Sequence, residues 1–370
     1  MLGRAALLGI ALAAAACTQQ VVLEDVWDAG GTDLPVLKDG PLSPTSDAAC
    51  GSIYLSLNYR ARAAQLMVML DRSLSMQSSL GTTTRESASE SALIGAISKY
   101  QSKVKFGFEQ FPADGSDKAY AACQHGACCA GSVDVEPQYN ALNSISGPLE
   151  CSDPFNSPCP TPGNDSVSSA ALAQMRDYYK SKYPPSSDDR YLLLVTASEP
   201  SCSAYPDDAE ACTNAIAAAS DLGNLGIRIV VLSVGYQPKA GSCLVRISQT
   251  GSSLSPPADT TSLYSPSSVG ALNSNVTEFV SAVARTGCTL DSNDVPPSGA
   301  QLVVSMGNST SSIPQVDSTD QNGWSFANSA HTSITFSGTV CDQYVNSQYT
   351  NISVGYTCST CGGATACPQW

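Results

Sequence analysis

Residues 66–76 read Leu-Met-Val-Met-Leu-Asp-Arg-Ser-Leu-Ser-Met, and the rest of the chain is best read outward from them. The apolar run from Leu66 to Leu70 has the continuous hydrophobic signature of a parallel strand buried on both faces. A carboxylate ends the run, and hydroxyls follow it at two-residue steps: Asp71, Ser73 and Ser75. In open α/β sheets the turn after such a strand faces the crevice at the strands' carboxyl ends, where ligands bind. One carboxylate with two hydroxyls offers only hard oxygen donors, which suit Mg²⁺, Mn²⁺ or Ca²⁺ rather than Zn²⁺.

From about Ser52 to Gly287 strands alternate with helices, the pattern of a doubly wound, mainly parallel α/β sheet covered on both faces. The first strand is expected over 65–70. A helix follows it, with Ala92, Leu93, Ala96, Ile97 and Tyr100 at three- and four-residue steps. Residues 104–111 alternate like a half-exposed strand, and 133–137 read as an edge strand beside it. A helix starting at Ser166 carries Val167, Ala171, Met175 and Tyr178 on its apolar side. Buried strands are expected over 191–195 and 227–234, with an Ala-rich helix over 207–222 capped by Gly223 between them. Val269, Leu272, Val276, Val280 and Val283 mark a last helix. Beyond Cys288 the texture changes. Residues 289–370 are rich in Ser, Thr and Asn, with strands expected at 301–305, 333–337 and 352–357, which reads as a small C-terminal disulfide-braced β module without recognisable chemistry.

The string Asp71-x-Ser73-x-Ser75 after a buried strand resembles the metal-ion-dependent adhesion site of von Willebrand factor type A domains. The element order over roughly 60–287 is similar to that fold. The resemblance implies binding through a metal, with Asp71, Ser73 and Ser75 as ligands on a first loop. In that family a second loop presents a Thr just before a helix. Ser166-Val-Ser-Ser-Ala-Ala-Leu172 aligns with it and puts Ser166 in the Thr position. The same Ser has a second reading as a helix N-cap, which satisfies free backbone N–H groups. The third loop departs from the family. Where the family has Thr-Asp-Gly-Glu-Pro, this chain has Thr196-Ala197-Ser198-Glu199-Pro200, so Ala197 replaces a carboxylate. Fewer charged ligands lower divalent affinity. The implied ion, Mg²⁺ or else Mn²⁺ or Ca²⁺, is therefore expected to bind weakly or not at all, with Asp165 as the compensating ligand and Glu199 as the alternative. In the family an acidic residue of the partner completes the coordination, so the implied partner is a protein or polysaccharide that supplies a carboxylate.

The N-terminus reads as an export signal. Arg4 precedes an apolar stretch over 5–16, long enough for a signal peptide and too short to cross a bilayer. Ala14, Ala15 and Ala16 lead into Cys17, which resembles the lipidation site of a bacterial lipoprotein and implies a tether that does not span the membrane. The domain reading is then a signal peptide and lipidated Cys over 1–17, a flexible acidic tether over 18–49, the type A domain over 50–288 and the β module over 289–370. Thr18, rather than Asp, follows Cys17; by resemblance to Gram-negative sorting this implies the outer membrane, facing the periplasm or the cell surface. The chain has 15 Cys. Setting Cys17 aside leaves an even number, and export favours a disulfide framework. The close pairs Cys151/Cys159 and Cys202/Cys212 are candidates for local staples, and Cys50 and Cys288, which flank the type A region, for tying its ends together. Cys358-Ser-Thr-Cys361 lacks the second pair that a zinc site needs.

A formal net charge of −14 argues against nucleic acid or anionic lipid as the main partner. Membrane contact is expected only through the lipid anchor. The chain has two His, His125 and His331, and no nucleophile elbow, phosphate-binding loop or His-Glu-x-x-His helix. No enzyme is expected. The whole combination resembles the type A lipoproteins of myxobacteria, some of which resemble gliding-motility adhesins. Two alternatives stay open: a metal-free envelope scaffold with a degenerate site, and a hydrolase of envelope polymers, which requires a titratable pair.

Overall fold

The structure, a computed structural model, describes residues 55–56, 59–62, 64–112, 128–150, 165–183, 189–202, 207–251, 260–293, 300–306, 312–316, 321–346 and 352–358. Cys17, Cys50, Cys151 and Cys159, and the signal and tether over 1–49, lie outside these residues. The chain divides into two compact units. The larger comprises Ala61–Thr289 with Cys341–Asn346, and the smaller takes the remainder.

The larger unit is built on six strands: β1 (Ala64–Asp71), β2 (Val104–Phe111), β3 (Val133–Gln138), β4 (Asp189–Thr196), β5 (Ile227–Ser233) and β6 (Leu263–Tyr264). Their spatial order is β6-β5-β4-β1-β2-β3. All neighbours run parallel except the β2–β3 pair at one edge. The expected doubly wound, mainly parallel sheet is the one observed. The chain begins in the middle of the sheet, runs to one edge, and returns to build the other half from β4. The direction reverses between β1 and β4, and that reversal opens a crevice at the carboxyl ends of those two strands.

Six helices cover the sheet: α1 (Arg85–Tyr100), α2 (Leu142–Glu150), α3 (Ser168–Lys182), α4 (Asp208–Asn224), α5 (Cys243–Gly251) and α6 (Val269–Thr286). On one face Met67, Met69, Leu192, Leu194, Ile229 and Val231 pack beneath α3, α4 and α5. On the other, α1 packs against α6, and Tyr191 meets Phe279 of α6 edge-on at 6.3 Å. All eight residues of β1 are buried, as a central strand under two helical layers requires. Local chemistry sets the helix starts. Thr84 accepts a hydrogen bond from Ser87 N at 3.1 Å, Asp207 from Glu210 N at 2.9 Å, and Ser268 from Ala271 N at 3.2 Å. Each such cap contributes about 1 kcal/mol.

The structure corrects several sequence expectations. β2 is almost wholly buried, because it lies inside the sheet between β1 and β3. On α3 it is Tyr179, four residues beyond Met175, that is buried, and Tyr178 is only partly so. α4 runs past Gly223, which is itself buried, and the left-handed turn after it falls to Gly226, at φ +82°. Cys202 and Cys212 do not pair with each other. Cys202 bonds Cys128 and Cys212 bonds Cys243, each with a Cα–Cα distance of 5.6 Å. Closeness in sequence did not bring Cys202 and Cys212 together, because α4 carries Cys212 toward α5 while Cys202 stays in the loop after β4. Cys288 bonds Cys341, at 5.7 Å, and so is not available to Cys50.

Among the described residues the smaller unit holds two sheets, apart from the end residues Ala61 and Thr289, which belong to the larger unit. One orders Leu55–Ser56, Ile352–Cys358 and Ala300–Met306; the other orders Gly323–Phe326, Ser333–Ser337, Thr289–Ser292 and Tyr59–Ala61. Trp324 is buried there, edge-on to Phe326 at 5.3 Å, with its indole N–H donated to Ile313 O at 3.1 Å. Strands within 55–61, expected in the 50–288 domain, thus pair with C-terminal ones, while Cys341–Asn346 belongs to the larger unit. Among the described residues no helix is long and apolar enough to cross a membrane.

Candidate metal centre

Asp71 is the last residue of β1 and Thr196 the last of β4, so the switch point places them side by side. Thr196 Oγ1 donates to Asp71 Oδ2 at 2.6 Å. Ser166, two residues before α3, donates to the same oxygen at 2.6 Å. The backbone N–H of Ser73 donates to Asp71 Oδ1 at 2.8 Å. The carboxylate is fully buried. Burial pushes its pKa above the ordinary Asp value, and hydrogen bonds from Ser166, Thr196 and Ser73 pull against that rise.

A row of hydroxyls continues from this carboxylate. Ser73 Oγ lies 2.8 Å from Ser75 Oγ, and Ser75 Oγ lies 3.2 Å from Ser198 Oγ. Ser198 N–H turns back to Thr196 Oγ1 at 3.4 Å. Three loops therefore converge, with one carboxylate and the hydroxyls of Ser73, Ser75, Ser166, Thr196 and Ser198. This donor set fits a hard divalent cation in kind, since it is all oxygen, and is poor in charge, since it holds one anion. Among the described residues no group of three His, Cys, Asp or Glu side chains could hold a metal.

Asp71, Ser73, Ser75 and Ser166 are brought together as the sequence aligns them. The hydroxyl of Ser166 goes to Asp71, and the N-cap position of α3 falls to Val167 without a side-chain bond. Asp165 is only partly buried, next to Ser166 in the chain. Glu199 is committed elsewhere: its carboxylate accepts from Tyr236 Oη at 3.1 Å and from Leu244 N at 2.9 Å, in the first turn of α5. Ala197 is buried. Thr196 and Ser198 were not singled out by sequence, although two hydroxyls flanking Ala197 at a strand end are a readable signal.

Two arginines hold the first loop. Arg72 is buried and ion-paired with Glu86 and, at 3.3 Å, with Glu90. It also donates to Leu149 O at 2.8 Å and Pro148 O at 3.2 Å, while Gln77 donates to Glu86 from the far end of the loop. Arg85 donates to Ser75 O at 3.2 Å and to Gly235 O at 2.9 Å. A Cβ at Gly235 would lie 2.7 Å from Arg85 Nε, and its φ is +63°, so only glycine fits there. The second and third loops are zipped: Ser201 N donates to Ser166 O at 2.9 Å and Ser166 N to Ser201 Oγ at 3.0 Å. Cys202, one residue on, carries the bond to Cys128.

No protein-family profile matches this chain, and no curated protein matches it by sequence. Solved structures do. The pilus adhesin SpaC of Lactobacillus rhamnosus GG is 12% identical over 83% of this chain and 42% of its own, with a TM-score of 0.46. Proximal thread matrix protein 1 of the mussel byssus, with a zinc-occupied MIDAS motif, is 13% identical over 64% of this chain and 51% of its own, at 0.37. The manganese-loaded TRAP protein of Plasmodium vivax is 11% identical over 62% and 78%, at 0.39. The chain spans about half or less of the first two. At such identities and scores none of them assigns a function to this chain.

Proposed function

We propose that this chain is an exported, lipid-anchored envelope protein that binds a protein or polysaccharide partner at the carboxyl-end crevice of the β1–β4 switch point. On this reading it works at the outer membrane as an adhesin of the gliding-motility kind and catalyses no reaction. The observation that carries it is the convergence of Asp71 with five hydroxyls from three loops, all oxygen and held by Arg72 and Arg85. Asp71, Ser73, Ser75 and Ser166 would hold Mg²⁺ or Mn²⁺, with Ser198 within reach of Ser75. When bound, the ion supplies a positive centre for an anionic oxygen of the partner. With Ala197 in place of a carboxylate, Asp71 is the one anion within the hydroxyl cluster, so the site retains net positive charge for a partner carboxylate.

A bead experiment tests this. Carrying a net charge of −14, the protein should be repelled by carboxylated latex in the absence of divalent metal. Retention on carboxylated but not hydroxylated beads in Mn²⁺, released by EDTA and lost in Asp71→Ala, is the expected result. Equal retention in EDTA would instead support a metal-free scaffold. One observation favours that second reading: both oxygens of Asp71 already accept hydrogen bonds, so the cluster is self-satisfied.

A further inference from the structure

We propose that the bridges Cys128–Cys202 and Cys212–Cys243 form a redox-operated clamp on the third loop. Oxidised, they hold Ser198 against the Asp71 cluster; reduced by a dithiol, they let the loop go. The clamp acts with or without an ion in the crevice, and so goes beyond the metal-dependent reading above.

The loop's own hold on the cluster is weak. Ser198 reaches Ser75 Oγ at 3.2 Å and Thr196 Oγ1 at 3.4 Å, against about 2.8 Å for a well-made hydroxyl pair and about 2.9 Å for an N–H donor. Ala197 is buried and brings no charge. Ordering residues 197–202 costs chain entropy that two long, neutral hydrogen bonds do not offset.

Two cystines supply the hold from separate directions. Cys202 directly follows Ser201, whose N–H and Oγ pair with the backbone of Ser166 on the second loop. Its partner Cys128 belongs to a segment laid on β2: a Cβ at Gly131 would come within 2.1 Å of Gln110 O, an approach only glycine permits. Cys243 opens α5, and the N–H of the next residue, Leu244, donates to Glu199 Oε2 at 2.9 Å. Cys212 fixes that helix start to α4, whose Ala215, Ala218 and Leu222 are buried in the core. Glu199 is thus the positioning residue through which the second bridge acts on the loop, and the hydroxyl of Tyr236 steadies it at 3.1 Å. The bridge Cys288–Cys341 takes no part. It lies beside Thr289, whose carbonyl accepts from Arg62 N just before β1, whereas Asp71 ends that strand.

Opening the clamp is a thiol–disulfide exchange. One thiolate of the dithiol attacks a cystine sulfur, forming a mixed disulfide and releasing the other cysteine. Its second thiol then displaces the remaining cysteine, and the reductant leaves as its own disulfide. The two electrons and two protons it gives up end on the two cysteine thiols.

Amide hydrogen exchange of the full chain in EDTA tests this, read by NMR at Ser201 and Leu244, with Val68 in the middle of β1 as the fold control. Both loop-side amides should be protected in the oxidised native chain. Replacing Cys128 and Cys202 together by Ala should speed exchange at Ser201 about tenfold or more, and replacing Cys212 and Cys243 should do so at Leu244 and Ser201. Glu199→Ala, which leaves both bridges closed, should match the second effect. Dithiothreitol should reproduce the combined effect and reoxidation reverse it, while Val68 stays protected throughout. Replacing Cys288 and Cys341 should leave Ser201 and Leu244 unchanged. Unchanged exchange once the bridges are opened overturns the proposal. So does equal acceleration in the Cys288 and Cys341 variant, or loss of protection at Val68, because the bridges would then brace the whole unit rather than one loop. Since no metal is present, either failure leaves the metal-dependent reading standing.

Discussion

At position 197 a buried alanine stands between Thr196, which donates to Asp71, and Ser198, which reaches Ser75. Its neighbours on both sides take part in the cluster, and Glu199 ties the loop to α5. The consequence is electrostatic. One anion and a row of neutral hydroxyls attract a divalent ion less than two anions would. Ala197→Asp should therefore tighten Mn²⁺ binding by about tenfold or more, a change of roughly 1.4 kcal/mol per decade. The same variant should be less stable without metal, since a carboxylate would be buried where a methyl group now stands. Calorimetric titration with urea denaturation, each run with and without Mn²⁺, separates the two effects. An unchanged affinity would mean that position 197 does not face the ion.

The loop over residues 71–77 is anchored by a buried charge: Arg72 is ion-paired with Glu86 and Glu90 and donates to the carbonyls of Pro148 and Leu149. Removing one partner of a buried ion pair leaves the others stranded at a cost of about 3–5 kcal/mol. Arg72→Met should lower the unfolding free energy by about that amount and weaken Mn²⁺ binding in parallel, as read by urea denaturation and titration. Stability loss without weaker binding would show that the ligand geometry does not depend on this anchor. The contrast with the ligands themselves shows what sequence can carry. β1 and Asp71 were legible because the apolar run, its terminal carboxylate and the two-residue hydroxyl steps are all local. Ser166 was legible as one of two readings, a ligand or an N-cap; the N-cap of α3 falls instead to Val167, and the Ser166 hydroxyl goes to Asp71. Arg72 was not, because a lone Arg in a loop reads as solvated, and its burial depends on Glu86, Glu90 and the carbonyls of Pro148 and Leu149. α2 and α5 escaped notice because each is nine residues long, too short for a firm period, and α2 contains Pro148. Strands of two and three residues at 55–61 carry no pattern at all.

For the molecule as a whole, disulfide pairing is where sequence reasoning failed. Bridges form between Cα atoms within about 7 Å, and only the fold determines which cysteines meet that condition. Among the described residues, bridges within the larger unit join Cys128 to Cys202, Cys212 to Cys243 and Cys288 to Cys341. They fit an exported protein, and the first ends in the loop after β4 that carries Ser198. The chain is strongly acidic, so on the proposed reading attraction of a carboxylate partner would rest on a bound cation rather than on the protein's own field. The most direct test of this account is calorimetric titration of Mn²⁺ into the oxidised full chain beside its Asp71→Ala and Ser75→Ala variants. Ser75 is only partly buried, so the second variant retains the fold if the first does not. The native chain should show one site with a Kd on the order of 10⁻⁴ to 10⁻³ M, as a low ligand charge implies, and neither variant should bind measurably. No binding to the native chain, or binding unchanged in both variants, would contradict it.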